Sequence, residues 1–79
     1  GEEFVVLANN DLEQTINLAE NIRETINDFQ FEKGIHLTVS IGLAEYQFDE
    51  TSFEWLGRAD TAMHQAKAAG RDLCCLAAS

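Results

Sequence analysis

Seventy-nine residues make one domain at most, near the size at which a single apolar core barely offsets conformational entropy. A 46% apolar share fits a globular chain, and no apolar run approaches the length of a membrane span. The formal charge of −9 leaves no basic face to neutralise a nucleic-acid backbone, so an anionic ligand must be handled locally, by a few cations and a metal.

Gly1, Glu2 and Glu3 stand before Phe4-Val5-Val6-Leu7. That run predicts a strand over Glu3 to Ala8, apolar enough to be buried on both faces. Gly1 suits a tight turn, because glycine adopts positive φ cheaply, and both carboxylates then stand at the mouth of the turn. Two acids so placed can hold Mg²⁺, a hard cation that takes oxygen ligands, although an acidic turn ahead of a strand is commonplace. No basic-then-apolar leader precedes the strand, so nothing argues for export and a cytoplasmic location is expected.

Asn10, with Glu13 three residues on, predicts a helix N-cap and its return partner. Leu12, Ile16, Ala19, Ile22 or Arg23, Ile26 and Phe29 then form one apolar stripe for packing on a sheet. Glu13, Glu20, Glu24 and Asn27 fall largely outside the stripe and read as a solvated face without chemistry. Gln30 to Gly34 is a loop that turns at Gly34. The alternation over His36 to Tyr46 predicts a strand with Leu37, Val39, Ile41 and Leu43 on one face. Thr38, Ser40 and Gly42 occupy the other face, and Gly42 marks a bulge or a close approach of another backbone. His36 has no second histidine or cysteine near it and carries no ligand role.

After an acidic loop over Gln47 to Glu50, Thr51 and Glu54 form a capping-box pattern that opens a second helix. Phe53, Leu56, Ala59, Met63 and Ala66 recur at helical spacing as core, and Trp55 is expected to pack. Asp60, His64, Lys67 and Arg71 share a face. They read either as an intrahelical charge ladder or, for Lys67 and Arg71, as phosphate ligands held at the helix end that Gly70 terminates. Cys74 and Cys75, adjacent in a last strand over Leu73 to Leu76, point to opposite faces. They fit no zinc spacing and are expected to be reduced packing residues.

Gly1-Glu2-Glu3-Phe4, Thr38-Val39-Ser40-Ile41-Gly42, Arg58-Ala59-Asp60 and Ala66-Lys67-Ala68-Ala69-Gly70-Arg71 occur in one order and spacing. The whole resembles the GGDEF domain of diguanylate cyclases, about the second half of it. Gly1 to Phe4 look like the last four residues of the GG[DE]EF signature. The resemblance implies an α/β (α+β) fold: residues 1–79 as the β-α-β-α-β portion of a single domain, like the palm of nucleotide cyclases, with a mostly antiparallel central sheet. In that fold the domain's first strand lies between the strand beginning near Glu3 and the one around Leu37 to Leu43.

The implied activity is condensation of two GTP into cyclic di-GMP and pyrophosphate, with Mg²⁺ or Mn²⁺, across a homodimer of facing domains. Glu2 would be the catalytic, metal-binding carboxylate. Glu3 would support the metal or act on the attacking hydroxyl. Gly1 would let the turn approach the nucleotide, and Lys67 and Arg71 would grip its outer phosphates. The family's other metal-binding aspartate, its guanine-reading pair and its Arg-x-x-Asp inhibitory site would all precede Gly1. A sensory or regulatory domain, or a membrane anchor, would lie further upstream. Asn21 stands where several members carry a product-contacting arginine, and His64 where tyrosine is common. The segment alone is expected to be inactive and to pair its open strand edges with other chains. Two other functions stay open: a degenerate, GTP-binding regulatory domain, and a protein-interaction module without nucleotide.

Overall fold

Alternating apolar and small residues give β2 (Val39–Glu45) two usable faces, and the rest of the chain packs on them. The computed structural model describes residues 2–29 and 31–78. The remaining elements are β1 (Glu2–Ala8), α1 (Leu12–Asp28), α2 (Ser52–Ala68) and β3 (Cys74–Leu76). Gly1, and the Gln30 start of the expected loop, lie outside the described residues. No helix among the described residues is long and apolar enough to cross a membrane.

The sheet runs β1-β2-β3 with every pairing parallel, which corrects the expectation of a mostly antiparallel sheet. β1 pairs with β2 along its whole length, from Glu2 opposite Val39 to Ala8 opposite Glu45, so no strand separates them. β1 and β2 are each followed by a helix that carries the chain back to the sheet's starting end, and such a crossover yields parallel neighbours. Local pattern fixes the strands but not which backbone they pair with.

Val39, Ile41 and Leu43 are fully buried and form the core with Ala19 of α1, against which Val6, Ile16, Ile26 and Cys74 pack. Burying each of these large side chains stabilises the fold by about 1.5–3 kcal/mol. The opposite face of β2 belongs to α2. A Cβ at Gly42 would collide with the Ala59 carbonyl and the Met63 backbone, so the helix lies directly on the glycine. The two helices thus flank the sheet while strand order advances in one direction. The two crossovers therefore have opposite hands, and one is of the rare left-handed kind.

α1 is capped by Asp11 rather than by Asn10, and without a side-chain bond to the helix. The Asp11 carboxylate instead accepts from Asn9 N at 3.2 Å, and Asn10 sits at φ 70. The stripe of α1 passes through Arg23, half-buried, and leaves Ile22 exposed. β1 is an edge strand: Phe4, Val5 and Leu7 remain exposed, against the expectation of burial on both faces. Its apolar run is strand-forming, but only β2 flanks it.

α2 opens with the expected capping box, but Phe53 and Leu56, expected in its core stripe, are exposed. Thr51 Oγ1 accepts from Glu54 N at 3.1 Å, and Glu54 Oε1 accepts from Thr51 N at 2.9 Å. Trp55 packs edge-on to Tyr46 and donates to the Ala44 carbonyl at 2.8 Å. Arg58 ties this end together. It donates to Glu50 at 2.6 and 3.0 Å, and also to the carbonyls of Glu45 and Ala78.

These Arg58 bonds, and to a lesser degree a backbone bond from Gln47, hold the Glu50 carboxyl below the usual range. A carboxylate depressed in the folded state stabilises above its unfolded pKa, and that contribution is lost as pH falls through the folded value. Thermal melts should therefore show stability falling as pH drops below about 4.3, the ordinary glutamate value. Glu50→Gln should be less stable at neutral pH and flatter over the acid limb. An unchanged acid limb in that variant would remove the pair as the cause.

Candidate functional site at the amino end of the sheet

The end of α2 is built by Gly70. Gly70 N donates to the Lys67 carbonyl at 3.3 Å and Arg71 N to the Ala66 carbonyl at 2.9 Å, the two bonds of a Schellman motif. Gly70 takes φ 124, and Arg71 and Asp72 follow at φ 63 and 53. Two successive non-glycine residues in the left-handed region carry strain, roughly 1–2 kcal/mol each, that surrounding contacts must hold. Arg71 is thus fixed in backbone and exposed in side chain, just beyond the last turn that carries Lys67.

The structure brings Lys67 to the first strand: its Nζ lies 2.9 Å from Glu3 Oε2, across 64 positions of sequence. A hydrogen bond from Lys67, and then its charge, hold the Glu3 carboxyl below the usual range, and the charges of Arg71 and His64 act the same way more weakly. Lys67 therefore pairs with Glu3 and stands outside the helix-surface ladder. In that ladder only His64 and Asp60 approach each other, at 3.5 Å.

Glu2 and Glu3 diverge. In the register, Glu3 sits opposite Ser40 on the face that α2 covers, and Glu2 opposite Val39 on the face that α1 covers. Glu2 is exposed and its N donates to the Thr38 carbonyl at 3.0 Å. Among the described residues no three His, Cys, Asp or Glu side chains gather to hold a metal. Mg²⁺ commonly takes one or two carboxylates and fills its shell with water and substrate phosphates, so a single exposed Glu2 suits it as one ligand among others.

Glu2, Glu3, Lys67 and Arg71 all sit at the amino ends of the strands. Open parallel sheets more often bind ligands at the carboxyl ends, so a site built here would lie at the less common end. A concavity of about 770 Å³ lies elsewhere, lined by Gln47, Glu50, Arg58 and Ala78 among others, and holds none of these candidates. His36, expected to have no ligand role, bonds Asn27 Oδ1 at 2.7 Å.

One neighbour of the candidate site has no local signal in the sequence. Arg23, read only as part of a packing stripe, donates to Asp72 Oδ1 at 3.0 Å and to the Asp72 carbonyl at 3.3 Å. The partners are 49 positions apart, and no spacing rule links them. On the same face, burial first, and then a bond to Glu20, push the Cys74 thiol up to about 12, so it stays protonated at neutral pH. Both cysteines are free.

A family model described as "Diguanylate cyclase, GGDEF domain" matches residues 1–73. Diguanylate cyclase A of Treponema denticola is 36% identical over 77 residues, covering 91% of this chain and 21% of that protein. Diguanylate cyclase DgcM of Escherichia coli is 37% identical over 73 residues, covering 91% of this chain and 18% of that one. A diguanylate cyclase of Vibrio cholerae is 34% identical over 79 residues, covering 96% and 25%. The chain thus spans about a quarter or less of the length of these relatives. No solved structure matches it significantly.

Proposed function

The chain belongs to the GGDEF family of diguanylate cyclase domains, and from that premise we propose that it is the C-terminal half of a working cyclase domain. Its reaction is condensation of two GTP into cyclic di-GMP. Each 3′-hydroxyl attacks the α-phosphorus of the other nucleotide, two phosphodiester bonds form, two α–β anhydride bonds break, and two pyrophosphates leave. Two copies of the domain face each other, each holding one GTP. With GTP as substrate, the domain works in the cytoplasm.

The observation that supports this reading most is the gathering of Lys67, Glu3 and Arg71 at one edge, with Glu2 leading the same strand. Lys67 and Arg71 hold the outer phosphates. In doing so Lys67 exchanges the Glu3 carboxylate for phosphate oxygen, and Glu3 is freed toward the nucleotide. Gly1, by its lack of a side chain, lets the turn approach the nucleotide. Glu2 offers the carboxylate for Mg²⁺ or Mn²⁺. When bound, that ion supplies hydroxyl activation and charge for the departing pyrophosphate. By the family resemblance the guanine-reading pair precedes Gly1, so this segment by itself does not turn over GTP.

The test is nucleotide titration of the intact protein by calorimetry. Lys67→Ala and Arg71→Ala should each weaken GTP by about tenfold or more while leaving GMP nearly unchanged, since each charge-assisted contact contributes about 1.5–3 kcal/mol. Equal losses for the two nucleotides would place both cations away from the outer phosphates.

A further inference from the structure

The cation that this reading assigns to the outer phosphates sits on an unusual piece of backbone. Arg71 and Asp72 both occupy the left-handed region directly after Gly70, where side chains are disfavoured. The Schellman bonds fix the N-terminal side of this turn, at Gly70 N and Arg71 N. Its other side is fixed from a different element. Arg23, in the middle of α1, spends one nitrogen on the Asp72 carboxylate and carbonyl, at 3.0 and 3.3 Å. Its remaining donors go to Glu20, Nε at 3.2 Å and Nη2 at 3.0 Å.

The Glu20 fork orients the guanidinium, and a guanidinium so orientated presents its last nitrogen in a fixed direction. The Arg23 side chain is only 18% exposed, so the pair is shielded from much of the solvent screening that weakens surface ion pairs. Glu20 and Asp72 both raise the Arg23 pKa, as expected of a cation held between two carboxylates.

We propose that Arg23 is a positioning residue for nucleotide binding: by clamping Asp72 it holds the Gly70–Asp72 turn in the conformation that presents Arg71 to the outer phosphates of GTP. The inference rests on the assignment of Arg71 given above. It makes a distinct statement, that a residue of α1 remote from the nucleotide governs affinity for the triphosphate through the backbone of the turn. Arg23 touches no substrate in this account. Its effect must pass entirely through Arg71.

The experiment is calorimetric titration of the intact protein with GTP and GMP, for wild type, Arg23→Gln, Arg71→Ala and the double variant, each with a thermal melt. Arg23→Gln should weaken GTP by about fivefold while GMP shifts less than about twofold, and it should have no further effect in the Arg71→Ala background. Asp72→Asn keeps an acceptor oxygen for Arg23. It should retain most of the GTP affinity, and it carries the test if Arg23→Gln fails to fold, since Asp72→Ala must then show the GTP-selective loss that Asp72→Asn does not. Equal weakening of both nucleotides, or losses that add to those of Arg71→Ala, would make Arg23 a structural tie only. A GTP-selective loss in Arg71→Ala with none in Arg23→Gln overturns this inference and leaves the Arg71 assignment standing. No GTP-selective loss in Arg71→Ala overturns both.

Discussion

Glu2→Ala in the intact protein should abolish cyclic di-GMP formation from GTP and Mg²⁺ while its thermal melt stays close to wild type. Glu2 is exposed, lies at the first position of an edge strand, and contributes to the ladder only through its backbone. Truncating the side chain removes little packing, so a surface-type change within about 0.5 kcal/mol is expected. The chemical cost is of another order. A carboxylate that helps hold the metal acts on charge developing in the transition state, and losing such a group costs on the order of a hundredfold or more in turnover. Glu2→Gln should fail nearly as badly, because the amide keeps shape and polarity but not charge. Glu3→Ala should give a different signature. It releases Lys67, so GTP affinity need not fall even if turnover does. Wild-type product formation in Glu2→Ala would take Glu2 out of the mechanism.

Gly42→Ala should cost more stability than any other single methyl added to this domain. The new Cβ would fall 2.7 Å from Met63 Cα and closer still to the Ala59 carbonyl and Met63 N, all of them helix backbone. Backbone cannot step aside as a flexible side chain can, so α2 must lift from β2. The loss should be about 3 kcal/mol or more, at the upper end of overpacking effects. A domain stabilised by only about 5 kcal/mol would keep about 2 kcal/mol or less, a folded-to-unfolded ratio of roughly 30 or lower. Lifting α2 also carries Lys67 away from Glu3, so GTP affinity should fall with stability. Hydrogen exchange of the β2 amides in the intact protein is the readout. Unchanged protection would mean that the helix rides higher than described.

The parts of this fold that a sequence can show are those with local causes. Thr51 and Glu54 close their capping box within one turn, and Gly70 ends α2 with bonds that lie wholly within Ala66 to Arg71. The alternation over His36 to Tyr46 put Val39, Ile41 and Leu43 on the core face, although Leu37 precedes the strand, which begins only at Val39, and Gly42 marked a close approach. What was not legible depends on partners distant along the chain. The apolar run of β1 looks the same whether one strand flanks it or two, and nothing local sets whether neighbouring strands run parallel. The hand of a crossover is likewise a property of the whole sheet.

The candidate site divides along the same line. Lys67 and Arg71 were readable from the helix end, and the pairing of Lys67 with Glu3 was not, because 64 residues separate them. The divergence of Glu2 and Glu3 was readable in principle. The two-residue period that sends Cys74 and Cys75 to opposite faces acts on these carboxylates too, once they lie inside the strand and not in the turn before it. Arg23 shows the limit most clearly. On its helix it fills a stripe position, and only the folded chain reveals Asp72 beside it.

The most direct measurement for the whole account is product formation by the intact wild-type protein given GTP and Mg²⁺, followed by chromatography of the nucleotides. A working cyclase should yield one cyclic di-GMP and two pyrophosphates for every two GTP consumed, with a rate that rises more steeply than linearly with protein concentration while the facing pair is assembling. GTP that binds and is returned unchanged would contradict the account in favour of a regulatory domain. No binding of GTP at all would contradict it in favour of an interaction module.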